Sequence, residues 1–441
     1  MLACVATVIA LSSTTQAAAD VVVNVRVDLS SIVRTVDPSA LGFGSSTYGA
    51  NPLDSPAQAV AEQQLDARYV RLPVGWRNDR VTSSAAGGPT DLDIPALTRL
   101  YTSWGYRVLV VIGGRTNDFD VQPGDAANII RAIGTGANID YSAPNEPGNR
   151  QKTVQDEIRV ARMIVAEGKA ITPGFRVWGP VWSHYDRAAL RTFAAALGQD
   201  LAGIDYHHYA MGSTSLDTTQ ALSETPRYGT EIREIRSDLD SVGLGDRPIN
   251  VDELNFSWRY QDGTPGGNNR FFETVTTVWV ASTLGHILMA GGRGLVYASQ
   301  NGPLGVTVEA GQVNPDNRSV SSPMPAYWGI AAFTGNHMWP HYKDEVLETS
   351  DSDPHVEAFA TNNEAGGYTV VLVNKSEGTD KAVSVYLDGA GPGTYTAYQT
   401  RSTDPYDPPA QVRTGAYRAG ASVRGTLPRM SVTIVVLSPA I

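Results

Sequence analysis

From about Val36 to Met338, apolar runs rich in Val, Ile, Tyr and Trp alternate with longer stretches whose apolar residues recur every three or four positions. The first pattern predicts strands and the second amphipathic helices; their alternation predicts a parallel sheet with helical crossovers. The candidate strands are "ALGFGSS" (40–46), "RYVRLPVGW" (68–76), "YRVLVVIGG" (106–114), "ANIDYSAPNE" (137–146), "FRVWGPVWS" (175–183), "GIDYHHYAMG" (203–212), "PINVDELNF" (248–256) and "GLVYASQNG" (294–302). Eight strands are the number that closes a (β/α)8 barrel, a TIM barrel. Helical runs such as "TVQDEIRVARMIVAEGKAI" and "RFFETVTTVWVASTLGHILMA" lie between them.

Beyond "SPMPAYWGIAAFTGNHM" the period changes to two, in "YTVVLVNKS", "AVSVYLDG", "GTYTAYQT" and "MSVTIVVLS", with Gly, Pro, Asn and Asp between the runs. These short runs predict an appended antiparallel β-sandwich over 339–441. The early run "DVVVNVRVDLS" also alternates, so residues 20–35 are assigned to the same sandwich and 36–338 to the barrel. The fold class expected is therefore α/β, a barrel with a sandwich built from both chain ends. No solenoid or propeller period is visible, and "STDPYDPPAQ" (402–411) reads as an exposed loop.

Composition narrows the function classes. Hydrophobic residues make up 42% of the 441 positions and charged ones 18%, enough for a large packed core. The net charge of -11 and the lack of any Lys/Arg-rich run argue against a nucleic-acid partner. The stretch from Leu2 to Leu11, followed by small polar residues and Ala17–Ala19, reads as a secretory signal peptide over 1–19, without a basic segment in front of it. No later run is an uninterrupted apolar span of membrane length, so the expectation is a secreted, extracellular chain without membrane insertion. Cys4, the single cysteine, falls in that leader, which leaves the mature chain without disulfide or thiolate chemistry.

Reactive groups of such a barrel sit where its strands end. Glu146 ends the fourth candidate strand and Glu253 the seventh, so barrel closure would bring two carboxylates to one rim. A pair of this kind can divide the work of an acid, which must be protonated, and a nucleophile or base, which must be ionised. Pro147 is expected to bias Glu146 towards an extended backbone, and Asn145 offers an amide for a substrate hydroxyl beside it.

An Asn-Glu-Pro triplet on strand four and a Glu on strand seven resemble clan A of the glycoside hydrolases, the retaining (β/α)8 glycosidases. The trailing sandwich is similar to that of the xylosidase/iduronidase family, the glucuronidase/heparanase family and the arabinofuranosidases. The resemblance implies a carbohydrate substrate, no cofactor and no metal, with Glu146 as acid/base and Glu253, in "INVDELNFSW", as nucleophile. Thr or Ser is commoner before that Glu; here Asp252 precedes it and is the alternative acid, expected to point to the opposite face of its strand. The same resemblance assigns Arg71 to holding the nucleophile ionised and the pair His207 and Tyr209 to the strand-six position, where the Tyr hydroxyl contacts the nucleophile. Period two places Asp205, His207 and Tyr209 on one face, with Tyr206 and His208 on the other. Trp76, Trp182 and Trp258 follow strand ends and could stack on a sugar ring, although aromatics are also common core fillers. "GGRTND" and "GGRG" are too short for phosphate loops, and adjacent histidines on a strand point apart, which disfavours a metal site.

Overall fold

The strands follow one another as β1 (Val23–Thr35), β2 (Leu41–Gly44), β3 (Tyr69–Arg77), β4 (Arg80–Ser83), β5 (Arg107–Gly113), β6 (Ile139–Ser142), β7 (Val177–Trp182), β8 (Leu201–Met211), β9 (Ile249–Ser257) and β10 (Arg293–Val296). The computed structural model describes residues 22–45, 51–83, 92–114, 119–211, 217–257, 269–296, 305–308, 318–400 and 404–440. Within them, β2, β3 and β5 to β10 pair in parallel, and the β2–β3 pairing closes the ring. Closure gives a (β/α)8 barrel, to which β4 adds a short antiparallel hairpin on β3. The expected leader lies outside the described residues, as does the end of the last candidate barrel strand.

Helices α1 (Pro56–Leu65), α2 (Ile94–Ser103), α3 (Asp125–Ile133), α4 (Val154–Lys169), α5 (Arg187–Leu197), α6 (Thr218–Ser241), α7 (Thr274–Ala290) and α8 (Pro325–Thr334) surround the ring. Several begin at side-chain caps: Ser55, Asp93, Thr153, Asp186 and Asp217 each accept a backbone N–H of the first turn. Thr153 and Asp156 form a reciprocal capping box. α7 is apolar all round because one side meets the barrel and another the second domain. A Cβ at Gly285 of α7 would lie 2.4 Å from the Phe359 ring, so glycine lets the two domains approach. None of the described helices is long and apolar enough to cross a membrane.

The second domain comprises β11 (Tyr342–Asp351), β12 (Val356–Asn363), β13 (Tyr368–Asn374), β14 (Lys381–Asp388), β15 (Gly393–Gln399), β16 (Ala410–Tyr417), β17 (Ser422–Leu427) and β18 (Ser431–Pro439) together with β1. One nine-stranded sheet folds over itself to enclose a core that includes Val25, Val27, Leu372, Val385, Tyr395 and Leu437. The expected purely antiparallel sandwich needs one correction. β1 runs antiparallel to β11 but parallel to β14, since it arrives from the far end of the chain and is not bound to either neighbour by a hairpin.

Candidate active site

At the C-terminal rim, β3 supplies Arg71, the loop after β6 supplies Asn145 and Glu146, β8 supplies His207 and Tyr209, and β9 supplies Asp252 and Glu253. These side chains converge. One oxygen each of Glu146 and Glu253 and a ring nitrogen of His207 all lie within 4.8 Å of one another. Tyr209 donates its hydroxyl hydrogen to Glu253, and Arg71 donates Nη2–H to the Asn145 side-chain oxygen. The latter bond fixes which end of that amide is the donor.

Strand β6 ends at Ser142, so Glu146 stands on the loop beyond it, and its backbone is left-handed, with φ 48° and ψ 56°, not extended as the sequence suggested. A following proline disfavours the right-handed helical region, but Glu146 takes the left-handed one in place of the extended one. Two hydrogen bonds make the choice: the Glu146 N–H donates to the Val181 carbonyl at 3.1 Å, and the Glu146 carbonyl accepts the Asn149 N–H at 3.1 Å. Such a conformation costs a non-glycine residue roughly 1–3 kcal/mol and persists only where its surroundings impose it. Asn149 also donates its side-chain N–H to Glu146 Oε2 at 2.7 Å, a contact the sequence reading did not find.

Asp252 corrects a second expectation. Strict alternation would turn it away from Glu253, yet both acids bind Arg71, Asp252 at 2.8 Å from Nε and Glu253 at 3.1 Å from Nη1. The cause is a bulge in β9. Tyr206 pairs with Val251 and His207 with Glu253, so Asp252 is the extra residue; against β10, two steps from Gly294 to Val296 span three from Val251 to Leu254.

Period two on β8 matches the contacts. Asp205 accepts from Ser142 at 2.5 Å and from the Val181 N–H at 3.2 Å inside the barrel. His208, on the other face, meets Glu231 of α6 at 2.8 Å. His207 is fully buried, with Nδ1 2.9 Å from Glu146 Oε1 and Nε2 3.6 Å from both Asp252 and Glu253. Arg71 Nη2 also approaches Nε2, at 3.3 Å. Three carboxylates against one guanidinium would leave the cluster at two negative charges if His207 were neutral. Burial opposes protonation, but Glu253 and Asp252 outweigh it and hold the His207 pKa up at about 10.

Burial pushes Glu253 above the ordinary carboxylate value, helped by the Glu146 charge and opposed by His207, Arg71 and Tyr209. Burial acts likewise on Glu146, but the His207 hydrogen bond and charge win and hold it below the ordinary value. Burial and the nearby Asp252 raise Asp205 well above that value, against the Ser142 hydrogen bond and the Arg71 and His207 charges. As a metal cage the cluster is poorly suited, because a protonated His207 has no lone pair to give and Arg71 adds positive charge.

The two described candidate tryptophans, Trp76 and Trp182, do not join this group. Trp182 is buried, and a Cβ at Gly148 would lie 3.4 Å from its ring, so it supports the turn after Glu146. Trp76 lines a separate cavity of about 400 Å³ with Arg80, Leu92 and Asp93. Trp258 lies outside the described residues.

No family model matches the chain, and no curated protein matches it in sequence. Solved structures do share its fold. A bifunctional glucanase-xylanase, CelM2, from a metagenome library superposes with a TM-score of 0.68 at 14% identity, over 95% of this chain and 99% of that one. The α-L-arabinofuranosidase of Thermotoga maritima gives 0.69 at 12% identity, over 94% and 99%. A Paenibacillus polymyxa xyloglucanase of glycoside hydrolase family 44 gives 0.66 at 13%, over 95% and 100%. Barrel and sandwich are thus arranged in this chain as in those glycoside hydrolases.

Proposed function

We propose that the chain is a retaining glycoside hydrolase acting on oligo- or polysaccharides by double displacement. The observation that carries this reading is the approach of a Glu146 oxygen to within 4.8 Å of a Glu253 oxygen. Retaining enzymes hold their two carboxyl groups about 5–5.5 Å apart, whereas inverting enzymes leave a wider gap for water. Glu253, oriented by Arg71 and Tyr209, attacks the anomeric carbon. Glu146 protonates the leaving oxygen and then deprotonates the water that releases the sugar.

At rest the two carboxyls are biased against these roles, since Glu146 is the more acidic. His207 resolves the conflict. Transfer of its Nδ1 proton across the 2.9 Å hydrogen bond gives a neutral Glu146 acid and a neutral imidazole. The same transfer removes both the His207 charge that lowers Glu253 and the Glu146 charge that raises it, and leaves Arg71 and the Tyr209 hydroxyl to hold the nucleophile ionised.

The structural neighbours are named for glucans, xylan, xyloglucan and arabinofuranosides. Cleavage of a glycosidic bond is what they have in common, and that is the activity inferred. The apolar N-terminal stretch supports export of the enzyme to where polysaccharides are met. The test is a panel of aryl glycosides and polysaccharides given to wild type and Glu253→Gln, with NMR of the first-formed anomer. Retention by wild type and silence of the variant are expected; inversion, or an active variant, would overturn the reading.

A further inference from the structure

The opposite end of the barrel carries a second concentration of polar groups that the reaction does not use. At the N-terminal face, a cavity of about 430 Å³ is lined by the starts of several strands, with Arg107, Asp140, Arg176, Trp178 and Arg293 on its wall. Arg107 spends Nη1 on Asp140 at 3.0 Å, and Arg293 spends Nη2 on Asp37 at 2.7 Å. Arg176 is exposed and has no ion pair among the described residues. Three guanidinium groups therefore face two carboxylates, an excess of positive charge in a chain whose net charge is -11.

Unpartnered donors mark the same place. Arg107 Nε, Arg293 Nη1, Trp178 Nε1 and the Tyr69 hydroxyl are buried without a hydrogen-bond partner among the described residues. Tyr69 is fully buried and Trp178 is 2% exposed. They are neighbours: Tyr69 pairs in register with Arg107, and the Arg293 guanidinium lies 5.6 Å from the Tyr69 ring centre and 5.4 Å from that of Trp178. Gly203 makes room for this stack, since a Cβ there would lie 2.4 Å from the Trp178 ring. Buried donors are almost always satisfied in folded proteins, so four together without an acceptor call for one.

We propose that this basal cavity is a binding site for a small oxyanion, a phosphate or sulfate group or a carboxylate. Such a group offers several acceptor oxygens to the donors of the cavity wall, Arg107 on β5, Arg176 and Trp178 at the start of β7 and Arg293 on β10, and neutralises the excess charge. Chloride, with one centre and no fixed directions, serves this array less well. Because the site lies at the end of the barrel away from Glu146 and Glu253, its occupancy stabilises the fold without entering the reaction.

The experiment is thermal unfolding and calorimetric titration of the full-length protein at fixed ionic strength, with inorganic phosphate, sulfate, glucuronate, glucose and chloride. A saturable rise in Tm with phosphate or sulfate identifies a tetrahedral anion as the ligand; a rise with glucuronate but not glucose identifies a carboxylate. In either case Arg176→Gln, an exposed position, should bind about tenfold more weakly with its unliganded Tm unchanged, and Arg107→Gln should also weaken binding. Glu253→Gln should bind as wild type does. The proposal falls if no oxyanion exceeds chloride, if both arginine variants bind undiminished, or if Glu253→Gln abolishes binding and so moves the anion to the other end of the barrel.

Discussion

His207 Nδ1 stands 2.9 Å from Glu146 Oε1, and its fully buried ring is enclosed by Glu146, Asp252, Glu253 and Arg71. The two groups therefore hold one proton between them and titrate as a pair. The pair should keep that proton until the pH approaches about 10, the value to which Glu253 and Asp252 lift His207 against burial. In His207→Gln the proton can reside only on Glu146, which rises from its lowered value once the imidazolium is gone yet remains a carboxyl. The basic limb of kcat/KM against pH should therefore move to lower pH by more than one unit. An unmoved limb would show that His207 does not hold the acid's proton.

A buried ion cluster ties the sandwich to the barrel. Glu357 on β12 accepts from Lys375 and from Ser282 of α7, and His286 Nε2 lies 3.0 Å away. Burial works against the ionised form, but His286 and Lys375 prevail and bring the Glu357 pKa from 4.5 down to about 2. A lowered acid stabilises the fold fully above its unfolded value, so this contribution is complete above about pH 4.5 and is lost as the pH falls towards 2. It amounts to about 3 kcal/mol. Glu357→Gln should lower Tm at pH 7 and flatten the acid side of the Tm–pH curve. An unchanged Tm at pH 7 would exclude the cluster as a clamp between domains.

Much of the barrel was legible because its strands are buried on both faces and so appear as apolar runs, such as "RVLVVIG" of β5. The ends of those runs also pointed to the rim residues that converge. What stayed hidden depends on local backbone geometry. Alternation cannot reveal that Asp252 shares a face with Glu253, because the bulge is set by pairing with β8 and β10. The left-handed Glu146 is fixed by a hydrogen bond to Val181, a residue 35 positions away. Trp182 looked free at a strand end, but its ring is taken up beneath the Pro147 turn. The basal arginines are scattered from position 107 to 293, and nothing in the linear pattern unites them.

Glu62 makes the opposite kind of pH dependence. It is buried on α1 and accepts from the Gln58 side chain at 2.7 Å and the Tyr101 hydroxyl at 2.7 Å, while burial pushes its pKa up to about 7. A raised acid destabilises the folded state as it ionises. The cost is absent below the unfolded value of 4.5, grows up to pH 7 and is constant above it, at about 3 kcal/mol. Gln can replace the protonated form, because the Tyr101 hydroxyl can turn to donate to Ser45, 2.6 Å away. Denaturant unfolding should show Glu62→Gln more stable than wild type at pH 8 and close to it at pH 4. A variant less stable at both values would mean that Glu62 is held as a carboxylate.

The bulge in β9 leaves two adjacent acids on Arg71, and kinetics can tell them apart. Glu253 receives the Tyr209 hydroxyl hydrogen and has an oxygen within 4.8 Å of Glu146, whereas the Asp252 side chain is fully buried behind it. On the proposed reading Glu253 is the acid that meets an anomeric carbon, and Asp252 the one that keeps Arg71 and His207 charged. Glu253→Gly should lose activity on the order of 10⁴-fold or more, and azide should restore turnover of an activated aryl glycoside. Azide would enter from the vacated face, so the glycosyl azide should have inverted anomeric configuration. Asp252→Asn leaves the nucleophile in place and should retain more activity, gain nothing from azide and give a retained product. Because Asp252 helps to hold the proton on His207, its basic pH limb should also move down, in the direction expected for His207→Gln. If azide instead rescued Asp252→Gly with inversion and left Glu253→Gly inert, the two acids would exchange roles.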